Sequence, residues 1–321
     1  MQYLQAVKNG QTLPHAWIFS GPDKIGKKTV ALEWASEILG FSAGEKTAHP
    51  DFLFVAPLTD EKTGKSAGEI AVAQIRELIV KMALAPTGKH KIVIVDSAHL
   101  MNAEAQNCLL KTLEEPPAGS LIILIAENDR RLLETVRSRC QTLRFNFLPE
   151  NEMETLAEKL AAETGFQIAG GKIKEIAEIS FGRPGRLAGF LKNPEELEKW
   201  RAAEKEFVRA AAGDLAQKFA YAKKITDAEN SEMNLNEILE IWQYRFRNLL
   251  LELLKTAPEP GSKRVGPFLE QKGSDPFREK TNGHSPEKIV AILKKIQDLY
   301  LTLQTTNANP RLSVENFLLE L

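Results

Sequence analysis

Five short apolar runs mark out residues 1–148: Ala16-Trp17-Ile18-Phe19, Phe52-Leu53-Phe54-Val55, Ile92-Val93-Ile94-Val95, Leu121-Ile122-Ile123-Leu124-Ile125 and Thr142-Leu143-Arg144-Phe145. The middle runs are β-branched and almost unbroken, as expected of strands buried on both faces in a parallel sheet covered by helices. Between them apolar positions recur at helical spacing, first at Ile70, Ile75, Leu78, Ile79 and Met82, then at Ala105, Cys108, Leu109, Thr112 and Leu113. The second helix must end where Pro116-Pro117 forbid continuation. Strands alternating with helices predict an α/β domain built on a parallel five-stranded sheet.

Beyond Pro149 the strand pattern fades. The spacing predicts helices over Glu150–Phe166 and Ile173–Ile179, a turn at Gly182-Arg183-Pro184-Gly185, and a third helix from near Arg186. Further helices are predicted over Glu195–Ala212, Asp214–Ile225, Leu235–Leu254, Pro286–Thr305 and Val314–Leu321. Ala257–His284, rich in Gly, Pro, Lys and Ser, reads as a long flexible connection. The resulting division is an α/β core (1–148), a small three-helix domain (149–193) and an all-α domain (194–321).

Composition narrows the function classes. At 321 residues, with ~150 residues per domain, about two domains are expected. Lys+Arg number 42 against 43 Asp+Glu, which argues against a strongly basic nucleic-acid binder. Arg130, Arg131, Arg137 and Arg144 are locally dense enough for weak phosphate contacts. No apolar run approaches the ~20 residues of a membrane span, and no secretory pattern opens the chain. Two cysteines, Cys108 and Cys140, are too few for a disulfide framework or a four-cysteine zinc site. A reducing cytoplasm is the expected compartment.

Gly21-Pro22-Asp23-Lys24-Ile25-Gly26-Lys27-Lys28-Thr29 follows the first predicted strand and opens a predicted helix, the setting of a phosphate-binding loop. Gly21 and Gly26 let backbone N–H groups close around phosphate oxygens at a helix N-terminus, and Lys27 is placed to reach them. The next position calls for a Ser or Thr hydroxyl on Mg²⁺ but carries Lys28. Thr29 is no substitute, because one residue turns the side chain by about 100° around the helix. Asp96, ending the third strand, is the expected holder of the metal's water shell, or alternatively a cap of the next segment. Ser97 follows it where an acid would polarise the attacking water. Two defects, Lys28 and Ser97, argue against hydrolysis. Arg137-Ser138-Arg139-Cys140 precedes the last strand, and a guanidinium there is able to neutralise a phosphoryl group, including one on a neighbouring subunit. Taken alone, such a segment is an ordinary solvated loop.

With these motifs, Leu13-Pro14-His15-Ala16-Trp17, His49-Pro50-Asp51, Gln74-Ile75-Arg76, Lys91–Asp96, Leu109–Pro117, Gly182–Arg186 and Asn307–Leu312 stand in an order that resembles bacterial DNA polymerase III clamp-loader subunits. The resemblance is to the delta-prime branch, with gamma/tau next. It implies an AAA+ P-loop core, a helical lid and an all-α collar. It also implies a hetero-pentameric ring with gamma/tau motors and delta, which loads a sliding clamp on primed DNA. Arg139 takes the place of the arginine offered in trans, and Lys28 and Ser97 favour a non-hydrolysing stator over a gamma/tau-like ATPase. ATP binding is expected to be weak or absent, and zinc is not expected, since residues 36–51 lack cysteine. The first-sensor position falls at Ala126 or Glu127, with Asn128 nearby. Arg183 or Arg186 takes the lid-sensor place, unless both form surface ion pairs. Cys108 and Cys140 read as packing residues, and Trp242, Tyr244 and Phe246 as collar packing. The histidines lack ligand spacing.

Overall fold

The computed structural model describes residue 4 and residues 14–41, 49–58, 68–164, 170–227, 233–256 and 285–321. It divides into two compact units, Met1–Leu191 and Lys192–Leu321. The expected connection over Ala257–His284 and the end of a helix at Phe166 lie outside the described residues.

In the first unit, β1 (Ala16–Ser20), β2 (Phe52–Val55), β3 (Lys91–Val95), β4 (Ser120–Ala126) and β5 (Gln141–Arg144) form one sheet in the order β2-β3-β4-β1-β5. Every pairing is parallel. The unbroken apolar runs are explained by the two-residue period of a strand. Ile18, Val93, Val95, Ile122 and Leu124 share one buried cluster with α2 (Val72–Ala83) and α3 (Ala103–Glu114). Trp17, Phe19, Ile92, Ile94 and Ile123 share the other with Ala31, Trp34 and Ala35 of α1 (Lys27–Leu39). A single turn, α4 (Glu134–Arg137), leads into β5.

Ile70 departs from the expected pattern. It precedes α2 and forms a parallel bridge with Met101. The helix begins only at Val72, because Ala71 is extended and its N–H donates to Gln74 Oε1 at 3.0 Å.

The lid segment contributes α5 (Glu150–Thr164), α6 (Gly170–Ile179) and α7 (Pro184–Lys192). α7 starts at Pro184, before the expected Arg186. Proline suits the first turn of a helix, where its missing N–H has no partner to lose. Gly182 turns the chain with φ 68, and a Cβ there would lie 2.5 Å from Leu148 O.

The second unit contains α8 (Pro194–Ala212), α9 (Leu215–Thr226), α10 (Leu235–Thr256), α11 (Pro286–Thr305) and α12 (Pro310–Leu319). α12 also begins earlier than expected from Val314, for a similar reason. The Asn309 side chain accepts from Arg311 N and Leu312 N, and Pro310 follows it. Trp242 is fully buried and stacked against Phe207 and Phe317, with centroids 5.1 Å away in each case. Its indole N–H donates to Tyr221 OH at 3.2 Å. Phe246 is buried in the same cluster and Tyr244 meets Trp200 edge-on, so this aromatic run packs the unit.

One buried polar joint holds β2 to the loop before β3. Asp51 accepts from Thr87 N at 2.9 Å, Gly88 N at 2.8 Å and Thr87 Oγ1 at 3.3 Å. Lys91, also buried, donates to Leu84 O and Lys81 O, closing the end of α2. Burial opposes the Asp51 charge, but the Thr87 and Gly88 hydrogen bonds and Lys91 outweigh it, and the carboxyl sits below its ordinary 3.8. Asp51→Ala leaves two backbone donors without an acceptor, so urea unfolding is expected to register a loss of about 2 kcal/mol. The carboxylate's stabilisation is complete above pH 3.8 and lost as the pH falls through the lower folded-state value. An unchanged unfolding midpoint at pH 7 would show that the joint contributes nothing.

Candidate functional site

β1 delivers the chain to the C-terminal edge of the sheet at Ser20, and Gly21 begins the loop there. A Cβ on Gly21 would lie 2.4 Å from Phe145 O, so only glycine fits between β1 and the end of β5. Gly26, at φ 97, turns the loop into α1, and Gly26 O accepts from Val30 N. The Lys27 ammonium is buried and donates to Gly21 O and Pro22 O, both at 2.6 Å. Burial lowers its pKa, against the pull of Asp23, Glu127 and Asp96, while the positive charge of Arg183 acts in the same direction as burial.

The loop is also held from the lid. Gly185 N donates to Lys24 O at 2.8 Å, and a Cβ on Gly185 would lie 2.7 Å from that oxygen. The first turn of α7 therefore rests directly on the loop.

Gly26, Lys27, Lys28, Thr29 and Asp96 line one cleft of about 260 Å³, together with Asp23, Ser97, His99, Glu127 and Gly185. Gly21 lines a neighbouring hollow instead, with Asn128 and Arg144. Asp96 caps nothing, since the short turn that follows begins from Ser97 in a left-handed conformation. Its carboxylate instead forms an ion pair with Lys28, Nζ to Oδ2 at 2.9 Å. The ammonium also lies over the Phe54 ring, 4.9 Å from its centroid. A divalent metal at this position needs a hydroxyl from the loop and a free carboxylate. The residues present supply a cation already seated on the carboxylate, so they do not fit the metal.

His99 and Glu127 belong to this cleft, and of the two only His99 carried no sequence signal. Glu127 stands just past β4, at one of the two expected sensor positions, while Ala126 ends the strand and the Asn128 side chain accepts from Arg130 N. Burial and Asp23 raise the Glu127 pKa. His99 Nδ1 accepts from Glu127 N at 3.4 Å. Burial, then Arg131 and Lys27, push the imidazole pKa down to about 4. Arg183 lies over Phe147 and contributes to the field at Lys27 and Glu127. Arg186 is buried over Phe181 and Phe190 and so does not stand at the surface.

Arg139 lies outside the cleft, just beyond α4. Its Nε donates to Glu114 Oε1 at 2.9 Å and Nη2 reaches the same oxygen, while Nη1 donates to Thr135 O at 2.9 Å. The side chain remains one-third exposed. Cys140 beside it packs against the sheet cluster, and burial pushes its thiol up to about 12, far from a nucleophile's range. Cys108 packs against the same cluster. No group of His, Cys, Asp and Glu able to hold a metal occurs among the described residues. No helix among them is long and apolar enough to cross a membrane.

The sheet order, the glycine loop running from β1 into α1, the acid ending β3 and the helical lid over the loop define a P-loop protein of the AAA+ class. Residues 1–149 match the family described as DNA polymerase III, delta subunit. The chain is 32% identical over 187 residues to the DNA polymerase III subunit delta' of Pseudomonas aeruginosa, covering 50% of this chain and 55% of that one. It is 34% identical over 155 residues to subunit delta' of Bacillus subtilis, covering 44% and 45%. Against a DNA polymerase III subunit gamma of Buchnera aphidicola it is 25% identical over 276 residues, covering 78% and 72%. The chain thus spans about half the length of the delta' relatives it matches. Its first 149 residues are delta-prime-like, similar to subunits of the DNA polymerase III clamp-loader type.

A histidine that stays neutral when folded binds fewer protons than in the unfolded chain between pH 6.5 and about 4. Stability is therefore complete above pH 6.5 and falls as the pH drops toward 4. In His99→Gln that component of the pH dependence should vanish. A His99 imidazole titrating near 6.5 by NMR would contradict the burial argument.

Proposed function

We propose that this chain is a non-hydrolysing stator of a DNA polymerase III clamp loader. It assembles with gamma/tau motors and delta in a hetero-pentameric ring and presents Arg139 to the ATP site of a neighbouring motor. The ring loads a sliding clamp on primed DNA, in the cytoplasm. The Lys28–Asp96 ion pair at 2.9 Å carries the first part of this reading, because it replaces the metal ligands that hydrolysis requires. The second part is supported by Arg139, a half-buried guanidinium held at the surface on Glu114. Gly21, Gly26, Lys27 and Thr29 keep the form of the loop without its metal chemistry.

A gamma/tau-like motor is the second reading, favoured by the similarity to a subunit gamma and by the retained Lys27. The two readings separate on ATP turnover. The isolated chain should show none. In the reconstituted loader, Arg139→Ala should lower turnover by on the order of 10³-fold at one site, diluted by the other sites. The fold of the isolated variant should be preserved, since an exposed ion pair contributes only about 0–1 kcal/mol. Unchanged loader turnover would remove the role in trans. Steady turnover by the chain alone, lost in Lys27→Ala, would establish a motor.

A further inference from the structure

The ion pair that argues against magnesium leaves an intact glycine loop, a buried loop lysine and a cleft, and this combination has a positive consequence. In a metal-using P-loop site the cation neutralises the strand-end carboxylate, which otherwise repels phosphate oxygens. Here Lys28 performs that neutralisation from within the chain, 2.9 Å from Asp96 Oδ2. The Phe54 ring lies 4.9 Å from the ammonium and gives it a second favourable contact. We propose that Lys28 is a built-in counter-ion that makes the cleft a receptor for a metal-free polyphosphate and excludes the magnesium complex.

Three observations support this beyond the ion pair. The Asp96 carboxylate is only 18% exposed, so a dication reaching it must displace the ammonium and then sit against it. Lys27 is buried and bonded only to backbone carbonyls, so its charge is not consumed by a carboxylate and is available to an anion that replaces Gly21 O and Pro22 O. Finally, the cleft of about 260 Å³ is smaller than the roughly 300–1,000 Å³ of sites that enclose whole small molecules. It accommodates a diphosphate and leaves any attached nucleoside outside. The ligand chemistry is therefore that of pyrophosphate or the phosphate chain of a nucleoside diphosphate. The proposal deepens the non-hydrolysing reading of this cleft and is independent of Arg139.

The test is calorimetric titration of the full chain with pyrophosphate and with ADP, each in EDTA and in excess Mg²⁺. Both anions should bind in EDTA, and Mg²⁺ should weaken each by about tenfold or more, as a like-charge clash at contact distance requires. Equal affinities identify the phosphate chain as the recognised element, and a preference for ADP of about tenfold or more overturns the assignment of a diphosphate-only cleft. Lys28→Thr should reverse the metal dependence and give a protein-bound Mn²⁺ signal by electron paramagnetic resonance in the presence of ADP. Lys28→Gln should lose anion affinity without gaining that signal, which separates the charge from the hydroxyl if the threonine variant folds poorly. Tighter binding with Mg²⁺ by the unsubstituted chain, or no binding of either anion in EDTA, overturns the proposal. Neither result touches the role of Arg139, which is read from the neighbour's turnover.

Discussion

Every feature of the cleft depends on one constraint: five strands that all point the same way. Parallel strands place all their C-terminal ends on a single edge, where the connecting loops collect. β4 sits between β1 and β3, with Ser20 level with Ala126 and Val95 level with Leu124. The glycine loop after β1 and the acid after β3 therefore face each other across the end of β4, and Glu127 emerges between them. The opposite edge is secured by different chemistry, in which Asp51 and Lys91 satisfy the backbone groups where α2 ends and the chain returns to β3. Burying two charged groups there is tolerable because each is met by backbone partners, with the Thr87 hydroxyl added at Asp51.

Convergence at one edge crowds the charges together. Asp23, Asp96 and Glu127 meet Lys27, Lys28 and the fields of Arg131 and Arg183 around a small volume. The balance is kept without a metal ion. Lys28 settles on Asp96, Lys27 turns back to two loop carbonyls, and His99 stays neutral. A single residue thereby changes the character of the site. A hydroxyl at position 28 would leave Asp96 an unpaired carboxylate beside a cation-seeking loop, whereas the lysine closes the circuit internally.

The fold was legible because its strands are buried on both faces, which leaves unbroken β-branched runs such as Ile92–Val95 and Leu121–Ile125. Its glycine loop was legible because Gly21, Gly26 and Lys27 hold a spacing that few other structures demand. Helix starts were less legible. Pro184 reads as a turn residue and Pro310 falls ahead of the helix expected from Val314, yet each stands in the first turn of a helix. Ile70 matches helical spacing but is buried by a bridge to Met101 instead. The most informative contacts were invisible for a common reason. Lys28 with Asp96, Gly185 with Lys24, and His99 with Glu127 are distant in sequence and meet only because of the sheet order. The sequence exposes the misfit of Lys28 with a metal, but not the partner that gives the lysine its place.

Arg139 poses the opposite problem to Lys28. A guanidinium offered to another subunit must be held in position before assembly and released without great cost. A fully buried partner would hold it too well, since breaking such a pair leaves an uncompensated charge at a cost of about 3–5 kcal/mol. A free side chain would pay rotamer entropy of up to about 2 kcal/mol when it is captured. Glu114 lies between these limits. It contacts Arg139 through Nε and Nη2, and is itself half exposed, so water can replace the arginine when it leaves. Thr135 O supplies a further acceptor that fixes the direction of the guanidinium. In the proposed stator, Glu114 on α3 is therefore a positioning residue: it aligns the arginine at little cost to its release.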